Sequence, residues 1–153
     1  MAFSEKNLKS LLSLALENNA TDIHIREKET PCFRIRGELV NIQTKNFERG
    51  DITDLYHIFT NREYQSDDTE IDGAYELADL CRIRYNFYQF TQKTAIAIRI
   101  IKLKVPTFKD LNLPSKMSQI TEKKTGITLI TGPTGSGKSS TLASMINHLN
   151  LNY

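Results

Sequence analysis

Tryptophan is absent from this chain of 153 residues, cysteine occurs twice and proline four times. The two cysteines, Cys32 and Cys81, have no metal-ligand spacing and both fall in strand-like runs. They read as buried free thiols of a reducing cytosol, not as a disulfide framework or a zinc site. No apolar run approaches the roughly 18 residues of a membrane span. The opening MAFSEKNLKS has no apolar core of a secretory leader. Excess charge is also missing: 20 basic residues stand against 18 acidic ones, a formal charge of +2. The bases are spread along the chain and mixed with acids, so no electrostatic case for nucleic acid exists. Internal repeats and low-complexity segments are absent as well. What remains, 39% hydrophobic and 25% charged residues, is the balance of a folded soluble protein.

The apolar pattern changes period along the chain. Ser4 can cap a helix running to about Asn19, with Leu8, Leu11, Leu12, Ala15 and Leu16 on one face. Alternation then predicts strands at 22–27 and 32–36, Gly37 marks a turn, and 38–42 is a further short strand. A second helix is expected at 51–61, with Ile52, Leu55, Ile58 and Phe59 inward. The polar stretch 65–69 breaks the pattern. Three strands follow in meander order at 71–77, 80–89 and 94–101. In the middle one, Ile83, Tyr85 and Phe87 share one face, and Arg82, Arg84 and Asn86 share the other. In the last, Ile96, Ile98 and Ile100 oppose Ala95, Ala97 and Arg99. Together these predict an α+β domain with an antiparallel sheet and helices on one side. Val105-Pro106-Thr107 and Leu113-Pro114 then interrupt it, with room for one helical turn between them. The charge balance shifts there too, to five basic against two acidic residues from Pro106 on. The organisation expected is a domain over 1–104, a linker over 105–115 and the start of a second domain over 116–153.

That last segment carries the most specific chemistry. Gly132, Gly137, Lys138 and Ser139 satisfy G-x-x-x-x-G-K-[ST], the phosphate-binding loop of nucleotide-hydrolysing proteins. The apolar run 127–131 before it reads as a buried strand, and Leu142, Met145, Ile146 and Leu149 after it lie at helical spacing. Glycines let the loop curl so that backbone N–H groups face phosphate, and the helix N-terminus adds its positive dipole end. Lys138 would reach the β- and γ-phosphates of ATP, and the Ser139 hydroxyl would join the Mg²⁺ shell. Thr134, Gly135, Ser136 and Ser140 would add backbone or hydroxyl contacts. One strand and one helix cannot bury both faces of a parallel sheet. Residues 116–153 are therefore expected to be poorly ordered or to borrow contacts from the first domain.

Four separate blocks resemble the type II secretion and type IV pilus ATPase superfamily. Ala20-Thr21-Asp22-Ile23-His24-Ile25 resembles its A-S-D-[IL]-H signature, and residues 71–101 resemble its arginine-rich strand segment. PTFKDLNLP resembles its linker, and GPTGSGKSSTLASMIN its Walker A stretch. The likeness is best to the retraction, or twitching-motility, branch. It implies a PAS-like N-terminal domain followed by an α/β RecA-like ATPase domain. It also implies a homo-hexameric ring at the cytoplasmic base of a pilus machine, working against an inner-membrane platform protein. The family's Asp box, Walker B and His box lie beyond the last residue, and none of the 14 residues after Ser139 is acidic. The chain thus reads as the N-terminal part of such an ATPase, with no catalytic residue of its own; alternatively it is a non-catalytic nucleotide-binding or ring-interaction module. A small P-loop kinase is disfavoured, since such enzymes usually carry this loop near their start.

In the family, arginines of the matching strands reach phosphates. Guanidinium suits that role, being always charged and able to form two parallel bonds. Arg82, Arg84 and Arg99 are the candidates here; the bland alternative is a solvated face paired with Asp79 or Glu76. His24, beside Asp22 and Arg26, has no nucleophile or metal partner in sequence and reads as structural. Tyr85 and Phe87 read as core, not as a base-stacking platform.

Overall fold

A computed structural model describes residues 3–65, 70–133 and 135–152. The chain divides into two compact units, Met1–Leu103 and Lys104–Tyr153. In the first, helix α1 spans Glu5–Glu17, β1 Ala20–Arg26, β2 Cys32–Ile35 and β3 Glu38–Asn41. Helix α2 spans Arg49–Thr60, and β4 Glu70–Leu77, β5 Cys81–Phe90 and β6 Lys93–Lys102 follow. Ser4 caps α1 as expected, in a reciprocal box with Asn7. Helix α2 starts earlier than the apolar pattern suggests, because Asp51 accepts from the Glu48 N–H at 2.9 Å and closes a box around the first turn.

All six strands form one sheet in the order β3-β2-β1-β6-β5-β4, with every neighbouring pair antiparallel. Two tight hairpins set its register. Arg36-Gly37 joins β2 to β3 with φ of 53° and 90°, and Thr91-Gln92 joins β5 to β6 with φ of 43° and 64°. Two-residue turns with both φ positive match the right-handed twist of paired strands. The β1–β6 pairing unites the N-terminal hairpins with the C-terminal meander, and Asp22 through Arg26 lie opposite Arg99 through Ala95.

One face of the sheet carries the core. Leu8, Leu12 and Ala15 of α1 and Ile52, Leu55, Tyr56 and Phe59 of α2 cluster with Ile23, Ile25, Phe33, Ile83, Tyr85, Phe87, Ile96 and Ile98. Tyr85 and Phe87 are thus core residues, and Phe59 stacks on Tyr85 with ring centroids 4.8 Å apart. Gly73 on β4 makes room for that ring: a Cβ there would run into the Tyr85 ring and hydroxyl. Cys81 is a buried free thiol, and burial pushes its pKa up. Cys32 is free but only half-buried, since it falls on the opposite, polar face.

The second unit holds the turn Thr107–Leu113, α3 (Lys116–Thr121) and α4 (Lys138–Asn152). Thr107 and Asp110 bond each other's backbone N–H at 2.9 and 3.2 Å, which fixes the helical turn expected between the prolines. Residues 127–131 are not a strand: none of them pairs with another strand among the described residues. Ile127 and Leu129 are accordingly 89% and 81% exposed. The β-branched run has strand propensity, but a strand needs a neighbour to bond. Helix α3 has only Met117 and Ile120 as apolar residues and buries none, too short a pattern to mark a helix in sequence. The expected break at 65–69 lies outside the described residues from 66 on. No helix among the described residues is long and apolar enough to cross a membrane.

Candidate functional site

Helix α4 opens on Lys138, directly behind a loop whose glycines 132, 135 and 137 have φ of 152°, 81° and 90°. L-residues rarely adopt such values, so glycine is required for the curl. At Gly132 space is short as well, since a Cβ would lie 2.8 Å from the Ser136 hydroxyl. The first turn of any helix leaves its N–H groups without intrahelical partners. Among the described residues the N–H groups of Lys138, Ser139 and Ser140 find no other backbone acceptor, while that of Thr141 donates to Gly137 O at 2.9 Å. Lys138 Nζ folds back over the loop and donates to Gly132 O at 2.9 Å and Pro133 O at 2.7 Å. Ser139 and Ser140 are exposed. Their hydroxyls carry no protein hydrogen bond among the described residues. This donor set fits a polyphosphate: one ammonium, several unpaired N–H groups and a free hydroxyl converge at one helix end. Thr134 lies outside the described residues.

A second polar cluster occupies the open face of the first unit's sheet. Register places Arg34, Asp22, Arg99 and Arg84 side by side on β2, β1, β6 and β5. Arg84 and Arg99 are thus direct cross-strand neighbours. Arg82 sits apart, opposite Ile101 and Glu76. Neither Arg82 nor Arg84 has an ion pair among the described residues. The expected partners, Asp79 and Glu76, form no ion pair with them among the described residues; the carboxylate that serves Arg99, and Arg34 beside it, is Asp22. Its Oδ1 accepts from Arg99 Nε at 3.0 Å, and its Oδ2 accepts from the Thr21 hydroxyl at 2.8 Å and lies 3.6 Å from Arg34 Nε. Burial pushes the Asp22 carboxyl up, but the Thr21 and Arg99 hydrogen bonds and the charges of Arg99 and Arg34 outweigh it and hold it below its usual value.

Beside this row lies a depression of about 290 Å³ lined by Asp22, His24, Asp72, Arg84, Ala97 and Arg99 among others. His24 faces it with Nε2 buried and without a partner. Desolvation, with the charges of Arg34 and Arg26 against that of Asp22, lowers its pKa and keeps the ring neutral near pH 7. Sequence reasoning singled out the arginines but not Asp22 as their partner. The alternation of β1 assigns Asp22 to the polar face; its neighbour 77 residues away is a matter of strand order.

The whole chain, residues 1–153, matches one family description: Type II/IV secretion system protein. The chain belongs to that family. Within it, the chain is 29% identical to the type IV pilus retraction ATPase PilT of Pseudomonas aeruginosa, over 94% of this chain and 43% of the relative. It is 33% identical to a twitching motility protein of Neisseria gonorrhoeae, over 79% of this chain and 33% of the relative. Among solved structures, the pilus retraction motor PilT with bound ADP superposes with a TM-score of 0.67 at 29% identity, over 92% of this chain and 42% of that one. The Legionella pneumophila ATPase DotB superposes with a TM-score of 0.82 at 28% identity, over 97% of this chain and 43% of that one. The antiparallel sheet with its helices matches the N-terminal domain of these ATPases. As a member of the secretion family, the chain spans less than half the length of the relatives it matches.

Proposed function

We propose that this chain is the ATP-binding part of a motor ATPase that powers type IV pilus retraction or related type II secretion. One observation carries the reading: Lys138 opens α4 behind three positive-φ glycines, in a chain matched along its whole length by a secretion-ATPase family. Gly132, Gly135, Ser136 and Gly137 shape the loop; Lys138 exchanges its carbonyl partners for phosphate oxygens; and Ser139, with Ser140 beside it, offers the hydroxyl for Mg²⁺. Bound Mg²⁺ would neutralise phosphate charge. Arg84 and Arg99, with Arg82 further along β5, are the candidate guanidinium contacts to phosphate. In the assembled machine the subunit takes its place in a homo-hexameric ring, with the ring against an inner-membrane platform protein on the cytoplasmic side.

The test is a fluorescent-ATP titration of the chain with and without Lys138→Ala. Loss of a charge-assisted bond should weaken binding roughly tenfold or more; unchanged affinity sinks the proposal. A second reading, a non-catalytic nucleotide-binding or ring-interaction module, is favoured by the unpaired, exposed segment 127–131. Phosphate release measured alongside separates the two, since binding without turnover supports the module.

A further inference from the structure

Resting on the reading that Arg99 meets phosphate, we infer that Asp22 is its positioning residue: it grips the Arg99 guanidinium by Nε and leaves the two terminal amino groups free as a fork at the depression both residues line. Asp22 is suited to grip. Its side chain is 15% exposed, and the Thr21 hydroxyl and Arg34 steady its other oxygen. Arg99 is suited to be gripped. Its side chain is 72% exposed, and a free arginine of that length loses many rotamers on meeting a ligand. Binding through Nε removes part of that cost before any ligand arrives, without using the atoms that form a two-bond contact with an oxyanion.

The rest of the row points the same way. Arg84 faces Arg99 directly across β5 and β6 and has no ion pair among the described residues. Like charges opposite one another destabilise a sheet. Three guanidinium groups stand in this row with one carboxylate, which pairs with Arg99 and Arg34 only, so the row carries a net charge of three minus one, or +2. Asp72, which lines the depression with Asp22, Arg84 and Arg99, lowers that sum to +1, and the neutral His24 adds nothing. The arrangement is poor for folding alone and good for an anion.

Positioning and simple electrostatics make opposite forecasts. Removing a negative charge from an arginine cluster should tighten anion binding; removing a positioning carboxylate should weaken it. The probe is inorganic triphosphate, titrated calorimetrically into the full chain carrying Lys138→Ala, so that the loop lysine contributes nothing. Four versions close a cycle: this parent, Asp22→Asn, Arg99→Ala and both together. Arg99→Ala should weaken binding roughly tenfold. Asp22→Asn should weaken it several-fold in the parent and change nothing once Arg99 is gone. A merely structural role would cost affinity in both backgrounds. Asp22→Glu, which keeps the charge, should recover most of the loss. Equal or tighter binding by Asp22→Asn, an equal loss in both backgrounds, no recovery by Asp22→Glu, or no triphosphate binding by the parent would each overturn the inference. ATP affinity with Lys138 intact is read separately, so failure of the loop assignment cannot be mistaken for failure of this one.

Discussion

The two units of this chain solve the problem of apolar surface differently. In residues 3–103 the sheet closes one face under two helices, and twelve large side chains fall below 2% exposure. In residues 104–152 the segment before the glycine loop pairs with no strand among the described residues, and Leu142, Ile146 and Leu151 of α4 stand half or more exposed. An antiparallel sheet made of hairpins completes its hydrogen bonds locally and needs cover on one face only. A strand followed by one helix satisfies neither condition. The lesson is that stability and the phosphate loop belong to different units: the sheet, which also carries the arginine row, is the rigid element, and the loop belongs to the less consolidated unit.

The largest effect that would break this contrast is a core deletion. Phe33→Ala, at a side chain with no exposure, should cost about 3–5 kcal/mol by urea unfolding. Leu142→Ala on α4 should cost well under about 1 kcal/mol; similar costs at both sites would refute the division. Next comes the notch under the meander. Gly73→Ala should destabilise by about 1–3 kcal/mol, because the new methyl meets the Tyr85 ring. In a Tyr85→Val background the same methyl should cost much less, and an undiminished cost would place the strain elsewhere.

How far these features are legible in sequence depends on how local they are. Helix α1 and the alternation of β1, β5 and β6 follow from periodicity, and so does the placement of Tyr85 and Phe87 inside. The loop glycines are legible because their positive φ demands that residue type. Strand order is not local, so the Asp22–Arg99 pair cannot be read from spacing, whereas the half-exposure of Cys32 follows from alternation with its inward neighbour Phe33. The run 127–131 misleads for the converse reason: its composition states a preference that only a neighbouring strand could realise.

A third expected effect sharpens the contrast without mutation. Hydrogen exchange should be fast at 127–131 and slow at Ile83, Tyr85 and Phe87, whose strand is paired on both sides. Comparable protection would mean the segment before the loop has found a partner. The smallest effect concerns alkali. Tyr75 donates to Glu5, and that bond, with burial, pushes its pKa from 10.0 up to about 12. The unfolded chain therefore loses this proton first. The contribution is whole below pH 10 and disappears as pH rises towards 12. Tyr75→Phe should flatten that part of the stability profile, and an unchanged slope would remove the Glu5 bond from the account.

The most direct test of the central claim is an amide NMR titration of the chain with ATP and Mg²⁺. The largest shifts should fall on Gly135, Ser136, Gly137, Lys138 and Ser139, with the sheet core of the first unit unmoved. No shift at these amides, with nucleotide bound elsewhere or not at all, would contradict the claim that this loop holds the phosphates.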